Sequence, residues 1–441
     1  MRRGGSLPTV AACVLIAAAW FPVTGPVMAA DINWSVGTGL EYSDNPARVN
    51  ENTHPDLTRI AQGTLGIAEV GSRLSARLST QYKYSDFREN TFEDRGRAQA
   101  FGSLDWQIIP EELKWVAHDT YQQVPDSTRA VATPETEQSV NGFVTGPDLL
   151  LSLGGADFAR LAVRYGDFEF SKTNEDNRRI AASAGLGRRI DPTTEVSFNV
   201  AGQHVDYTQE NATQEDYDQT SAFGRYDREI PGGRATLDLG RVAVARDRLP
   251  NVTGTLAQVT VLWRIKPETE TGLSYTQGTT DIGEVLIGPR NDPLTVDPRD
   301  ITLTGDIGKE RRMQAFGKRN AGALALGGSI YTAEQRYGSV DLDRDVTGGT
   351  LRADYSVTYG RTLFASFSSQ TSDYRALDVR DRDIAGSLGI RESVGRSTEL
   401  ELTFLRERQR SDTPTLRFIE NVVMLTLTYT GREPRRTQEG F

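Results

Sequence analysis

The chain has 441 residues, a formal net charge of −10 at pH 7, 37% hydrophobic residues and 42 glycines. Nucleic-acid-binding surfaces are strongly basic, so this acidic balance argues against a nucleic-acid partner. At about 150 residues per domain the length would allow two or three domains. No linker or shift of composition divides the chain, however. We therefore expect one large domain.

Residues 1–30 have the pattern of a secretory signal peptide. Two arginines near the start precede an apolar run over 10–21, and small residues at 27–30 suit cleavage. The run is shorter than the roughly 18 residues that a membrane helix needs. Cys13, the single cysteine, lies inside it. The exported part is therefore expected to fold without disulfides, although exported proteins can form them.

The segment 73–85 shows the clearest periodicity of the mature chain. Alternate residues are apolar or aromatic, namely Leu74, Ala76, Leu78, Thr80, Tyr82 and Tyr84. The residues between them are polar or charged. Since side chains of a strand alternate between its two faces, this pattern predicts a strand with one apolar and one wet face. Modest hydrophobicity with strict alternation is typical of strands in a transmembrane barrel.

The same alternation recurs from residue 32 to the end, and short turns alternate with long polar loops. This rhythm predicts an all-β fold, a single transmembrane antiparallel up-and-down β-barrel of about 20 strands over 31–429. Eighteen strands is the alternative, because the fourteenth strand, expected at about 301–316, alternates poorly. An even count leaves both termini periplasmic in the bacterial outer membrane, and residues 430–441 form a polar periplasmic tail. A first strand at residue 32 leaves no room for an N-terminal plug.

The aromatic residues fit two interfacial girdles, since amphipathic rings prefer membrane–water interfaces. Tryptophans on apolar strand faces near the short turns predict a periplasmic girdle of Trp34, Trp106, Trp115 and Trp263. Tyrosines near the long loops predict an outer girdle of Tyr42, Tyr82, Tyr84, Tyr121 and Tyr165. Further tyrosines near loop ends, assigned to the same interface, are Tyr207, Tyr217 and Tyr374.

Two segments resemble a known family. The mature start, VGTGLEYSDNPAR at 36–48, resembles the opening of the β-barrel porin family associated with exopolysaccharide gene clusters, and Tyr42, Asp44 and Asn45 match its strand end and first loop. The segment VNGFVTGPDLLLSLGG at 140–155 is similar to that family's Gly-Pro-containing strand. The resemblance implies an outer-membrane barrel connected with polysaccharide secretion.

A barrel of this width encloses more space than its wall side chains fill. The polar faces predict a basic wall in the lumen, made by Arg73, Arg77, Lys83, Arg160, Arg164, Arg179 and Arg189. They also predict lumenal acids at Asp105, Glu195, Asp238, Glu399 and Glu401. The basic wall would attract an anionic polymer; alternatively, these charges pair with each other or with water. Phe101 and Phe143 are candidate inward aromatics, but they make no track.

The long loop 279–300 carries an apolar patch and would narrow the pore if it folded inward; an extracellular position is the alternative. Acidic loops at 341–345 and 378–383 could bind calcium at the lipopolysaccharide surface, or their carboxylates could simply be solvated. They lack EF-hand spacing, so we predict no metal site. The mature histidines, His54, His118 and His204, belong to no catalytic motif, and GxSxG, HExxH and P-loop patterns are absent. We expect no enzyme activity and no cofactor.

The sequence therefore predicts a porin-like outer-membrane channel, with export of a secreted polysaccharide as its function. The alternatives are a non-conducting structural or accessory barrel of a secretion system and a general diffusion porin. The expected partners are outer-membrane lipid and lipopolysaccharide, together with polysaccharide and periplasmic export components.

Overall fold

The computed structural model describes residues 30–127, 129–209, 215–280, 307–337 and 341–431. The strands, numbered in chain order, are β1 (Asp31–Ser43), β2 (Asp56–Val70), β3 (Leu74–Phe87), β4 (Arg95–Ile109), β5 (Leu113–Pro125), β6 (Glu137–Gly154), β7 (Asp157–Phe170), β8 (Asn177–Asp191), β9 (Thr194–Tyr207), β10 (Tyr217–Ile230), β11 (Gly233–Arg246), β12 (Val252–Lys266), β13 (Thr269–Thr280), β14 (Gly308–Ala321), β15 (Leu324–Tyr337), β16 (Arg344–Thr358), β17 (Arg361–Tyr374), β18 (Val379–Ser393), β19 (Thr398–Ser411) and β20 (Phe418–Thr430). A short 3-10 turn, Pro414–Leu416, precedes β20. Within the described residues no helix is long and apolar enough to cross a membrane.

One sheet of 20 strands closes on itself. Each strand pairs antiparallel with its neighbours in sequence, and β1 also pairs antiparallel with β20, from Ser35 opposite Thr430 to Ser43 opposite Val422. The prediction of a 20-stranded antiparallel barrel is confirmed, and the alternative of 18 strands is wrong. Closure leaves no free sheet edge, which is the condition for a sheet to sit in a bilayer.

The fourteenth strand lies further along the chain than the sequence predicts. It spans Gly308–Ala321 instead of about 301–316, and it pairs with β13 and β15 along its length. Its outward positions include Lys309, Arg311 and Arg319, which break the apolar alternation. Backbone pairing with two neighbours therefore sets this strand, where the local hydrophobic pattern is too weak to mark it.

The two faces of the barrel wall differ in exposure and chemistry. On β7, Leu161, Val163 and Tyr165 are exposed, whereas the alternate residues Phe158 and Phe168 are buried. Because strand side chains alternate, the exposed apolar residues point outward and the buried ones point into the lumen. The same parity continues through every paired strand, since residues opposite each other in a ladder share a face.

Three predictions concern residues beyond those described. The signal peptide lies in 1–29 apart from its last residue, the tail is described only to residue 431, and the loop 279–300 is described only at its first two positions, within β13. They stay predictions. The short turns join β2 to β3, β4 to β5 and so on, and we call that rim the turn end; the opposite rim is the loop end.

Leu78 tests the assignment of faces. It pairs with Ile67 and Gly102 on the outward face of β3, whereas its neighbour Ser79 points into the lumen. Substituting Leu78→Arg places a charge against lipid and should lower the free energy of unfolding by about 2–4 kcal/mol near the bilayer midplane. Denaturant titration of the barrel folded into lipid vesicles measures it. Ser79→Arg is the matched control and should cost far less; equal costs would contradict the assignment.

Candidate channel lumen and mouth

The motif that carries the family resemblance lies at the seam where β1 meets β20. Asp44 continues the pairing past the end of β1: its carboxylate accepts hydrogen bonds from the backbone N–H of Asn421 at 2.8 Å and from that residue's side-chain amide at 2.7 Å. In return, the Asp44 N–H donates to the carbonyl of Asn421 at 3.2 Å. The side chain of Asn45 donates to the carbonyls of Val49 and Ile419. Asp44 and Asn45 therefore fasten the first loop to the last strand.

Arg48 extends this fastening into the mouth of the barrel. Its guanidinium bonds Glu420 at 2.8 Å and Glu407 at 2.5 Å, and it donates to the carbonyl of Ala132 at 2.9 Å. The side chains of Glu407 and Glu420 are largely buried. Charge-assisted hydrogen bonds of this kind are stronger than neutral ones. One cation thus joins β19, β20 and the loop between β5 and β6.

That loop, described at residues 126–127 and 129–136, crosses the mouth, and we call it the crossing loop. It leaves β5, yet Arg129 reaches β18, where it bonds Asp381 at 3.2 Å, and the turn before β20, where it bonds Thr413 at 3.0 Å. The Arg129 guanidinium also lies over the ring of Tyr374 on β17, 5.0 Å from its centre. β1 to β4 lie between β5 and β20 in the closed sheet. The contacts of Arg129 therefore connect two separate parts of the barrel rim across the opening.

The lumen beneath this loop is packed. Lumen-facing apolar side chains with almost no exposed surface cluster within a few residues of the loop end, namely Val124, Val140, Phe168, Val205, Val244 and Val346. Side chains that line an open aqueous channel would be wet. The loop end of the lumen is therefore filled by side chains and loop residues, a feature that we call the packed layer.

Ile307, just before β14, also contributes to the packed layer. It lies in the segment before β14, yet it clusters with Val205, Tyr207, Tyr217 and Val244 on β9, β10 and β11. β12 and β13 lie between those strands and β14. The chain entering β14 therefore reaches inward over the wall.

The positions assigned to a basic wall point into the lumen, with one exception: Arg73 lies in the turn before β3 rather than on the strand. Lys83 pairs with Glu41 at 3.2 Å. Arg160 bonds Glu195 through two nitrogens, and Arg164 bonds Asp148. Carboxylates therefore neutralise part of this wall.

The other four cations differ by height. Arg179, near the loop end, is buried, bonds Asn177 at 2.7 Å and covers the ring of Phe168. Arg73, Arg77 and Arg189 lie near the turn end, are exposed, and make no ion pair with the part of the chain that the structure describes. Among the described residues these three cations therefore have no carboxylate partner, although acids such as Asp105 and Asp191 also lie near the turn end.

The lumenal acids serve mainly as partners of arginines. Asp238 is buried and accepts two hydrogen bonds of 2.7 Å from Arg225. Arg391 bonds Glu399 at 3.2 Å and Glu401 at 2.9 Å. Asp105 lies on the same face, between Ser75 and Val116 in the ladders. Glu195 accepts two hydrogen bonds from Arg160.

Aromatic rings on the lumenal wall form a feature that the sequence did not reveal. Arginines cover several of them, at distances to the ring centre of 4.5 Å for Arg160 over Phe158, 5.6 Å for Arg225 over Phe223, 4.3 Å for Arg312 over Tyr331 and 5.4 Å for Arg391 over Phe364. Phe101 also faces the lumen, but Phe143 pairs with Asp119 and Asp167 on the outward face, so its inward assignment is wrong. The alternation of faces along each strand is the sequence feature that could have placed these rings in the lumen.

The nine aromatic residues named for the two girdles point outward, whereas three further tyrosines assigned to the outer interface do not. Of the nine, those near the turn end are Trp34, Trp106, Trp115 and Trp263, and those near the loop end are Tyr42, Tyr82, Tyr84, Tyr121 and Tyr165. Trp34 packs against Tyr429 across the seam, with ring centres 5.8 Å apart. Tyr207, Tyr217 and Tyr374 are instead buried in the lumen, because they share the parity of the inward residues.

No catalytic or metal-binding constellation emerges among the described residues. His118 faces the lumen, and His204 faces outward and lies 2.9 Å from Asp218. In the same part of the chain no cluster of three or more His, Cys, Asp or Glu side chains is placed to hold a metal ion. The chemistry of the lumen is therefore that of paired charges and covered rings.

Solved structures with a similar fold include the ferric enterobactin receptor PfeA of Pseudomonas aeruginosa in complex with enterobactin, with a TM-score of 0.50 and 8% identity over 91% of this chain and 82% of that chain. The FrpB iron transporter of Neisseria meningitidis has a TM-score of 0.44 and 12% identity over 90% and 81%. The fold of the present chain is that of an outer-membrane β-barrel. No protein-family model and no curated protein matches the chain. At these identities the likeness concerns the fold alone.

The lumenal ion pairs differ in burial, so breaking them should lower the stability of the barrel by different amounts. The Asp238 side chain is 4% exposed, whereas that of Glu195 is 20% exposed. Arg225→Leu leaves a buried carboxylate without its partner and should destabilise the barrel by about 3–5 kcal/mol. Arg160→Leu, the matched control, should cost about 1 kcal/mol or less.

Denaturant titration in vesicles measures both changes. Adding Asp238→Asn to Arg225→Leu should recover much of the loss, because the uncompensated charge is removed. A loss unaffected by the second substitution would show that packing, and not the buried charge, sets the cost.

Proposed function

We propose that the chain is an outer-membrane channel that exports a polysaccharide, entering at the turn end and leaving at the loop end. The observation that carries this proposal is the set of lumenal rings covered by arginines. A sugar ring presents flat C–H faces and a rim of hydroxyls. An aromatic face from which its arginine moves away can stack against the former, and the freed guanidinium groups and the carboxylates can hydrogen bond the latter.

The distribution of charge supports entry at the turn end. Arg73, Arg77 and Arg189 are exposed cations near that end, and exposed cations attract ligands of the opposite sign. Deeper in the lumen, pairs such as Arg225 with Asp238 carry little net charge. An acidic polymer would be attracted at the entrance without being trapped further along, which suits passage better than a uniformly basic wall.

The packed layer implies that the loop end opens only when needed. Across the mouth, the crossing loop is held by the contacts of Arg48 and Arg129. Nearer to its own strands, Arg95 and Lys172 donate hydrogen bonds to it. We propose that this loop is the gate and that periplasmic export components and the polymer itself drive its displacement. No step of this function needs a catalytic residue or a cofactor.

The packed layer also favours a second candidate, a non-conducting accessory barrel of a secretion system. In that case the lumen would stay closed and the outer surface would carry the function. A general diffusion porin fits less well, because such a pore needs a permanently open path while Val124, Val140 and Val205 are buried.

Conductance separates the channel from the closed barrel. Single-channel recording in planar bilayers should show the wild type mainly closed. The double substitution Arg48→Ala with Arg129→Ala removes the contacts that hold the crossing loop across the mouth and should raise the open fraction several-fold. The loop then loses its bond to Asp381 on β18, and it loses Arg48, which links it to β19 and β20.

The matched control is Arg59→Ala. Arg59 pairs with Asp86 near the same rim but points outward, so its loss should leave conductance unchanged. If the double variant folds and stays closed at every voltage, the channel proposal fails and the accessory-barrel function remains.

Measuring secretion tests whether the channel exports a polysaccharide. Replacing Phe223 and Phe364 by alanine should lower surface polysaccharide several-fold in the host strain, since two stacking faces are lost. Phe367→Ala and Phe404→Ala remove outward-facing rings and serve as controls. Surface carbohydrate is measured against the amount of folded barrel in the membrane. Normal secretion by a strain that lacks the whole gene would count against export.

A further inference from the structure

The outward face of the barrel is not uniformly convex. A groove of about 1080 Å³ crosses β7 to β12. Twelve of its eighteen lining residues have outward parity, and the other six alternate with them, so we assign the groove to the outward face. It is lined by outward residues such as Val163, Ala184, Gly202 and Ala222. The exposed ring of Phe198 and the side chains of Leu186 and Leu239 stand near it on the same face. A run of small side chains between large ones makes the depression.

The lining of the groove changes character from one side to the other. On β7, β8 and β9 it is apolar, with Leu161, Val163, Ala182 and Val200. On β10, β11 and β12 it carries Thr220, Arg241, Thr253 and Thr255. The groove therefore offers an apolar bed beside a cluster of hydrogen-bond donors, which suits an amphiphile.

Arg241 is the exceptional residue. It lies between Ala222 and Thr255 in the ladders, on the same outward face as Leu239 and Ala243. Arg241 is exposed, and its guanidinium makes no hydrogen bond or ion pair with the described residues. A cation facing lipid without a partner is unfavourable and usually marks a binding function. Arg241 lies closer to the loop end of β11 than to its turn end.

Nearby carboxylates do not neutralise Arg241. Asp218 points outward on β10, but it pairs with His204 and stands opposite Ala245, closer to the loops. Within the described residues the groove therefore lacks an anion of its own at the level of Arg241. Charge complementarity calls for an anionic group that arrives with the occupant.

We propose that the groove binds lipid A, the phosphorylated glycolipid anchor of lipopolysaccharide. One phosphate pairs with Arg241 and accepts hydrogen bonds from the threonine hydroxyls, and acyl chains lie along the apolar bed of β7 to β9. The outer leaflet is the one next to the loop end if the turns are periplasmic, and Arg241 lies toward that leaflet.

Native mass spectrometry of the detergent-solubilised full chain tests the site. Lipid A, added to delipidated protein, should bind one molecule per barrel. Arg241→Ala should weaken binding by about tenfold or more, as expected for loss of a charge-assisted bond. Lipid A without its phosphates should bind the wild type as weakly as intact lipid A binds the variant.

Two further variants separate the groove from charge alone. Arg408→Ala, the matched control, removes another outward arginine on β19, far from the groove, and should leave binding unchanged. Gly202→Leu keeps Arg241 but fills the bed and should also weaken binding; a Cβ at this position meets only the carbonyl oxygen of Gln219, at 3.9 Å. Folding of each variant is checked by heat-modifiable gel mobility.

Either of two results would overturn the proposal. Equal binding of lipid A with and without phosphates would show that Arg241 is not a ligand. A barrel dimer or trimer that dissociates on Gly202→Leu would show that a second copy occupies the groove. This test is independent of conductance and secretion, so its failure would leave the export proposal standing.

Discussion

Closure of β20 on β1 is the constraint on which the other features depend. A sheet in a bilayer must pair every backbone N–H and C=O, since an open edge has no water to bind. The register that achieves this sets Ser43 opposite Val422, and Asp44 then continues it with its own side chain against Asn421. The residues that resemble a family motif thus have a physical role, because they hold the seam where the first and last strands meet.

Once the barrel is closed, parity determines the chemistry of each face. Outward positions carry the exposed leucines, valines and rings, and inward positions carry ion pairs such as Arg160 with Glu195. The same rule explains why Arg241 is notable: it points outward on β11, where its neighbours on the same face, Leu239 and Ala243, are apolar. It also explains why Tyr374 is buried beneath Arg129 instead of facing an interface.

Strand number and faces could be predicted because alternation is local and is repeated in almost every strand. The bounds of β14 could not be predicted in this way, because charged residues occupy its outward face. The strand is defined by its pairing with β13 and β15. Tyr207 and Tyr217 were misassigned from their height alone; counting parity from Glu195 would have placed Tyr207 inside. The contact between Arg48 and Ala132 joins residues far apart in sequence, and no pattern in either segment indicates it.

The constraint on the strands also limits where the lumen can open. Moving any strand of the wall would break ladder hydrogen bonds on both of its sides, and in a bilayer those groups find no other partner. The crossing loop has no such ladder to lose at its far end: Arg129 holds it through Asp381 and Thr413, and Arg48 through a single carbonyl. Water or an acidic polymer can replace those partners. The packed layer therefore depends on the least constrained part of the described chain, and the wall around it can remain unchanged while the mouth opens.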